Sequence, residues 1–99
     1  MINSYLKWQI IQKITILNIR NKITINELSH KLDINRTHPY FTEVLKYLID
    51  NKAIIEIEKI GSAKIIEINN KIIRVLVKNF SYFEDSVQII KLTNSLYNI

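Results

Sequence analysis

Between Asn35 and Tyr47 the chain sets Arg36, Thr37, His38, Tyr40, Thr42, Glu43, Lys46 and Tyr47 in one short stretch. A guanidinium, an ammonium, hydroxyls, an imidazole and phenols are donors suited to phosphate oxygens and base edges. Arg36 can also grip guanine bidentately, and Glu43 can accept from cytosine or pair with the charged side chains around it. Lys31 upstream, and Lys59, Ser62 and Lys64 downstream, add long point charges and a hydroxyl of the same use. The chemistry open to such a set is recognition of a polyanion rather than bond making.

Catalysis finds no support in the remaining residues. His30 and His38 are the only histidines, there is no cysteine, and no H-E-x-x-H spacing occurs. Ser29 next to His30 falls on a different face of a helix and makes no dyad. Glu84-Asp85 reads as charge at a helix start rather than an acid–base pair. The single glycine leaves no phosphate-cradling loop. The expectation is a protein that is not an enzyme and needs no metal or cofactor.

Ninety-nine residues make one domain, residues 1–99, long enough to bury well over half of its unfolded surface. The apolar share of 47% and charged share of 23% are ordinary for a soluble globular domain. One glycine and one proline point to regular elements joined by short loops. No apolar run approaches a membrane span and no signal-peptide pattern opens the chain. A soluble, cytoplasmic protein is expected, in the host cytoplasm if the source is viral. The net charge of +5 is uneven. Residues 1–52 hold eight Lys/Arg and four acids (+4), residues 53–69 two and three (−1), and residues 70–99 four and two (+2). The excess in the first half favours an anionic partner.

The elements that must position these residues are legible from periodicity. From Asn3 to Arg20, Leu6, Ile10, Ile14 and Leu17 mark one helical face, and Trp8, Ile11 and Ile19 widen it. That helix is either central to the core or shared with a second subunit. Ile23-Thr24-Ile25 is a short β run. Asn26 can cap a helix whose apolar side is Leu28 and Leu32. After the polar break Asp33-Ile34-Asn35-Arg36, a second helix starts near Thr37 or His38 with Pro39 in its first turn. Phe41, Val44, Leu45 and Leu48 form its inner stripe, leaving Tyr40, Thr42, Glu43, Lys46 and Tyr47 outside. Two short helices around a tight turn form a helix-turn-helix.

Ala53 to Ile60 and Ala63 to Asn69 flank Gly61-Ser62, a hairpin signal of the type II′ kind. The implied register sets Ile60 against Ala63, Lys59 against Lys64, Ile57 against Ile66 and Ile55 against Ile68. It gathers four isoleucines on one face but also opposes Glu56 to Glu67. Facing lysines repel unless something negative lies between them, a place a phosphate would fill.

Beyond Asn69, Ile73, Leu76, Phe80, Phe83, Val87, Ile90, Asn94 and Tyr97 recur at alternating steps of three and four. One helix from Asn70 to Tyr97 would be about 42 Å long, more than so small a core can cover. The alternative breaks it at Ser81, where Ser81 and Glu84 have capping-box spacing. Either parse leaves an apolar face, so a homodimer is expected. Its interface would draw on Trp8, Leu76, Phe80, Phe83, Val87, Ile90, Asn94 and Tyr97.

The resulting order is helix, short strand, helix, turn, helix, two-stranded hairpin and long C-terminal helix or helices: an α+β, mostly helical fold. It resembles a winged helix-turn-helix domain, and is similar to the small dimeric DNA-binding proteins of the MarR/ArsR-like kind, including those of archaea and their viruses and plasmids. Ile25-Asn26-Glu27-Leu28-Ser29, Leu32-Asp33-Ile34-Asn35, Val44-Leu45-Lys46-Tyr47-Leu48 and Asn51-Lys52-Ala53-Ile54 carry the resemblance. The chain departs from the pattern in having Asp33 and Ala53 where glycines are usual, and a longer segment from Ile34 to Val44. The resemblance implies a winged-helix core over residues 1–69 and a dimerisation segment over residues 70–99. It further implies that the helix from Thr37 enters the major groove of double-stranded DNA while the Gly61-Ser62 hairpin, the wing, meets the flanking backbone. The expected function is a homodimeric, sequence-specific transcription regulator of the repressor type. The rivals are a winged-helix protein-interaction module and a replication or partition accessory protein.

Overall fold

The structure is a computed structural model and describes residues 5–79. Helix α1, Tyr5–Leu17, buries Trp8, Ile11 and Ile14. The inner stripe is therefore rotated from the expected one: Leu6 and Leu17 are exposed and Ile10 is half-buried. The helix stops short of Arg20 because Asn18 turns left-handed at φ +47°. Asparagine is among the few side chains that enter that region readily.

Strand β1, Ile23–Thr24, leads directly into α2, Ile25–Lys31. The cap of α2 is Thr24 rather than Asn26. Thr24 Oγ1 accepts from the Glu27 N–H at 3.1 Å. In return the Glu27 carboxylate accepts from the Thr24 N–H at 3.3 Å, which completes a capping box. Starting two residues earlier puts Ile25 and Leu28 on the same inner side, both buried. The helix closes in a Schellman turn. Asp33 N–H donates to His30 O at 3.0 Å and Ile34 N–H to Ser29 O at 3.1 Å. Asp33 holds φ +54°, so the aspartate fills the left-handed position that glycine would take.

Helix α3, Pro39–Asp50, has Pro39 in its first turn and His38 as its cap, with Nδ1 accepting from the Tyr40 N–H at 3.1 Å. Phe41, Val44 and Leu48 are buried and Leu45 is half-buried, as the periodicity requires. A second Schellman turn ends it. Lys52 N–H donates to Ile49 O at 3.0 Å and Ala53 N–H to Leu48 O at 2.8 Å. Here the left-handed residue is Lys52, at φ +61°. Lys52→Gly is expected to raise stability by about 0.5–1 kcal/mol, the relief of a Cβ clash outweighing the entropy added to the unfolded chain. A thermal melt with an unchanged or lower midpoint would show that this position carries no strain.

Strands β2, Ile54–Ile60, and β3, Ala63–Ile68, form the hairpin, and β1 joins them in an antiparallel sheet of order β1-β3-β2. The sheet thus has three strands where a two-stranded hairpin was expected, with Ile23 facing Ile66 and Thr24 facing Ile65. At the tip the register is the expected one: Ile60 faces Ala63 and Lys59 faces Lys64. Gly61 takes φ +60° while Ser62 stays at negative φ. That combination suits a type II′ turn and not type I′.

Toward the base a bulge between Glu56 and Glu58 slips the pairing, so that Glu56 faces Ile66, Ile55 faces Glu67 and Ile54 faces Ile68. The bulge separates Glu56 from Glu67, which the unbroken register would have set in direct repulsion. It also brings Ile54 and Ile68, 1% and 7% exposed, into the core together. The four-isoleucine face does not form. Ile55 and Ile60 are 50% and 62% exposed, and Ile57 is exposed as well.

Residues 70–79 are helical, and their Ile73 and Leu76 close the core against α1, α2, α3 and the sheet. Trp8 and Leu76, expected at a subunit interface, are each 8% exposed and lie inside this single-chain core. The other expected interface residues, Phe80, Phe83, Val87, Ile90, Asn94 and Tyr97, lie outside the described residues, as does the Ser81 break. The architecture is α+β, mostly helical, and compatible with a winged-helix-like fold. Among the described residues no helix is long and apolar enough to cross a membrane.

Candidate nucleic-acid interface

The turn between α2 and α3 is built by Asn35. Its Oδ1 accepts from the Thr37 N–H at 2.9 Å and from Thr37 Oγ1 at 2.8 Å, and its carbonyl accepts from the His38 N–H at 2.9 Å. Asn35 and Thr37 therefore use polar atoms on each other to shape the turn. The result holds Asn35, Arg36, Thr37, His38 and Pro39 exposed in succession. The segment is presented outward, not sealed in.

Arg36 rests on the start of α2, where Nη1 donates to Asn26 Oδ1 at 3.0 Å. Asn26, displaced from the capping role, thus becomes a holder for the guanidinium. One exposed hydrogen bond of this kind contributes only about 0.5–1.5 kcal/mol, so a phosphate or guanine edge could replace it. The remaining guanidinium N–H groups leave Arg36 able to bind in fork geometry. Lys31, in the last turn of α2, is exposed.

On α3 the outward residues are fewer than the sequence implied. Thr42 and Lys46 are exposed, with Thr42 Oγ1 donating to the His38 carbonyl at 3.2 Å. Glu43 is exposed too but forms an ion pair with Lys7 of α1, not with Lys46. The Lys7 side chain is only 12% exposed, and its ammonium lies 5.4 Å from the ring centre of Tyr40. The Tyr40 ring also leans on His38, with ring centres 5.2 Å apart. Lys7 thus fixes Tyr40 and Glu43 from below and offsets the one acidic charge in the proposed contact set. Tyr47 turns inward: it is half-buried against the core, and burial pushes its phenol pKa up. Tyr40 and Tyr47 are therefore better described as half-buried flanks than as outer-face residues.

At the hairpin tip Ser62, Lys59 and Lys64 are exposed. Lys64 Nζ lies 3.8 Å from a Glu56 carboxylate oxygen, with both side chains roughly half in solvent. Part of the negative charge that the facing lysines require is the chain's own. A pair so exposed contributes about 0–1 kcal/mol, so it leaves Lys64 available to a stronger anion. Among the described residues no ion pair involves Lys59.

Two residues of this site were not found by sequence reasoning. Lys7 meets Glu43 across 36 positions of chain, and no periodicity or motif links them. Asn26 could have been recognised only by placing the cap on Thr24. A scan against protein-family models finds no match for this sequence, and no curated protein matches it.

Proposed function

We propose that this chain binds double-stranded DNA through the Asn35–Lys46 segment and the Gly61-Ser62 hairpin, as a homodimeric, sequence-specific regulator of winged helix-turn-helix type. The observation that carries the reading is the outward presentation of Arg36, Thr37, His38, Thr42 and Lys46 at the start of a helix whose other side anchors it in the core. An exposed helix start with a movable arginine is suited to a major groove, and the lysine-bearing hairpin is suited to flanking phosphates. The dimer rests on the apolar repeat of residues 70–99, and a repressor role on the resemblance alone.

One observation favours a second reading, a protein-interaction module. Ile55, Ile57 and Ile60 expose an apolar strip on β2, one of the two edge strands of the sheet. Salt separates the two. Binding to duplex DNA through several phosphates should fall steeply between about 50 and 200 mM salt, roughly 0.9 logarithmic units per phosphate for each tenfold rise. Fluorescence anisotropy with a labelled random duplex reads this directly. Negligible binding even at the low end would reject the DNA reading and leave the isoleucine strip as the better guide.

A further inference from the structure

A cluster of exposed cations lies at the base of the hairpin, away from the surface just proposed. Three chain crossings meet there. Asn70 Nδ2 donates to Ile19 O at 2.7 Å, Asn69 N–H donates to Ala53 O at 2.8 Å, and Ile23 pairs with Ile66. These bonds tie residues 18–23, 51–54 and 66–70 into one fixed end of the molecule. Arg20, Lys22, Lys52 and Lys71 each sit within one residue of a bonded position, and Arg74 follows one turn along the helix that begins at residue 70. All five are exposed, and no ion pair among the described residues involves any of them. Within four residues of these positions the chain carries Asp50, Glu56 and Glu67, so five cations less three carboxylates leave +2.

This changes where the charge excess resides. Of the eight Lys/Arg in residues 1–52, Arg20, Lys22 and Lys52 belong to the base, not to the helix-turn-helix. Strands β2 and β3 themselves hold Lys59 and Lys64 against Glu56, Glu58 and Glu67. The local electrostatics at the base run against ordinary helix design as well. Asn69 Oδ1 accepts from the Ile72 N–H at 3.3 Å, and the first turn that follows carries Lys71 and no acid. Cations at the positive end of a helix are unfavourable unless an anion is present. Nearby, Lys52 holds its left-handed backbone.

We infer that Arg20, Lys22, Lys52, Lys71 and Arg74 form a second nucleic-acid backbone contact, separate from the helix-turn-helix and the hairpin tip. It shares with the proposed function only the class of partner. Separation follows from element lengths. Six or seven strand residues put the base about 20 Å from the Gly61-Ser62 tip, and twelve helical residues put Lys52 about 18 Å from the start of α3. At 0.1 M salt the screening length is about 10 Å, so the base does not act on phosphates held at those places through long-range attraction. It must touch phosphates of its own, farther along the same duplex or on a second one. The partner is a polyphosphate backbone rather than a specific sequence, since the base offers ammonium and guanidinium groups, while the carboxamides of Asn51, Asn69 and Asn70 bond to the chain's own backbone.

The test compares the full chain with a basal variant, Arg20→Ser, Lys22→Ser, Lys71→Ser and Arg74→Ser, after circular dichroism has shown that both fold. Anisotropy with a 30-base-pair duplex is followed from 50 to 300 mM salt. The basal variant is expected to bind at least tenfold more weakly at 100 mM, with the slope of log affinity against log salt reduced by about two to three. Loss of slope is expected also in an Arg36→Ala, Lys59→Ala, Lys64→Ala background, which separates this contact from the proposed recognition surface. An unchanged slope in both backgrounds overturns the inference, even if the recognition surface itself proves correct. So does an unchanged DNA slope accompanied by lost sedimentation with phosphatidylserine vesicles, which would assign the base to a membrane surface.

Discussion

Arg36→Ala is expected to weaken binding to a preferred duplex by about 1–3 kcal/mol, and Lys59→Ala with Lys64→Ala to weaken all duplexes alike. The two effects differ because the side chains would do different work. The Arg36 guanidinium, now held by one bond to Asn26, can form two parallel bonds to guanine, so its loss relaxes discrimination between sequences. Lys59 and Lys64 offer point charges to phosphate, so their loss should lower the salt slope by about two without altering sequence preference. Competition binding with matched and scrambled duplexes measures both. A double lysine variant with unaltered affinity would remove the hairpin tip from the interface. An arginine variant that binds every duplex as the parent does would remove the start of α3.

The second large effect is on folding. Phe41 is 2% exposed and, with Val44 and Leu48, anchors α3 in the core. Phe41→Ala is expected to cost about 3–5 kcal/mol, since a large buried ring is removed and its cavity cannot collapse fully. Domains of this size are stable by only about 5–15 kcal/mol, so the variant should sit close to unfolding at 25 °C. Urea denaturation measures the loss. The link to function is direct, because the first turn of α3 carries Phe41 on its inner side and Tyr40 and Thr42 beside it. A loss below about 1 kcal/mol would mean that the helix is held by something other than this anchor.

Much of the architecture is legible in the sequence because its signals are local. Asp33 before Ile34, Pro39 in a first turn, and Gly61-Ser62 between two apolar runs each dictate backbone geometry within a few residues. The same holds for the stripe of Phe41, Val44 and Leu48. What the sequence does not disclose depends on contacts between distant segments. The capping choice of Thr24 over Asn26 is decided by which start buries Ile25 beside Leu28. The bulge at Ile57 arises because Ile54 and Ile68 must reach the core together and Glu56 must avoid Glu67. No turn rule encodes either demand. Trp8 illustrates the same limit from the other side. As an aromatic residue outside the expected stripe it looks surplus, but the stripe itself is rotated, and Trp8 packs within the chain with Tyr5 stacked on it at 5.6 Å.

For the candidate site, exposure is readable and pairing is not. Periodicity along α3 places Thr42, Glu43 and Lys46 outward, and they are exposed. It cannot show that Lys7 reaches Glu43, or that Tyr47 turns toward the core. Charge counted along the chain likewise credits the helix-turn-helix half with cations that the fold delivers to the base of the hairpin. Counting by sequence block mixes surfaces that antiparallel pairing sends to opposite ends.

The most direct test of the central claim is to follow backbone amide signals by nuclear magnetic resonance while a short duplex is added at 50 mM salt. The expected result is that residues 35–47 and 59–64 show the largest shifts, while Ile55 and Ile57 and the exposed side of α1 change little. Shifts confined to the isoleucine strip, or none in residues 35–47 at saturating duplex, would contradict it.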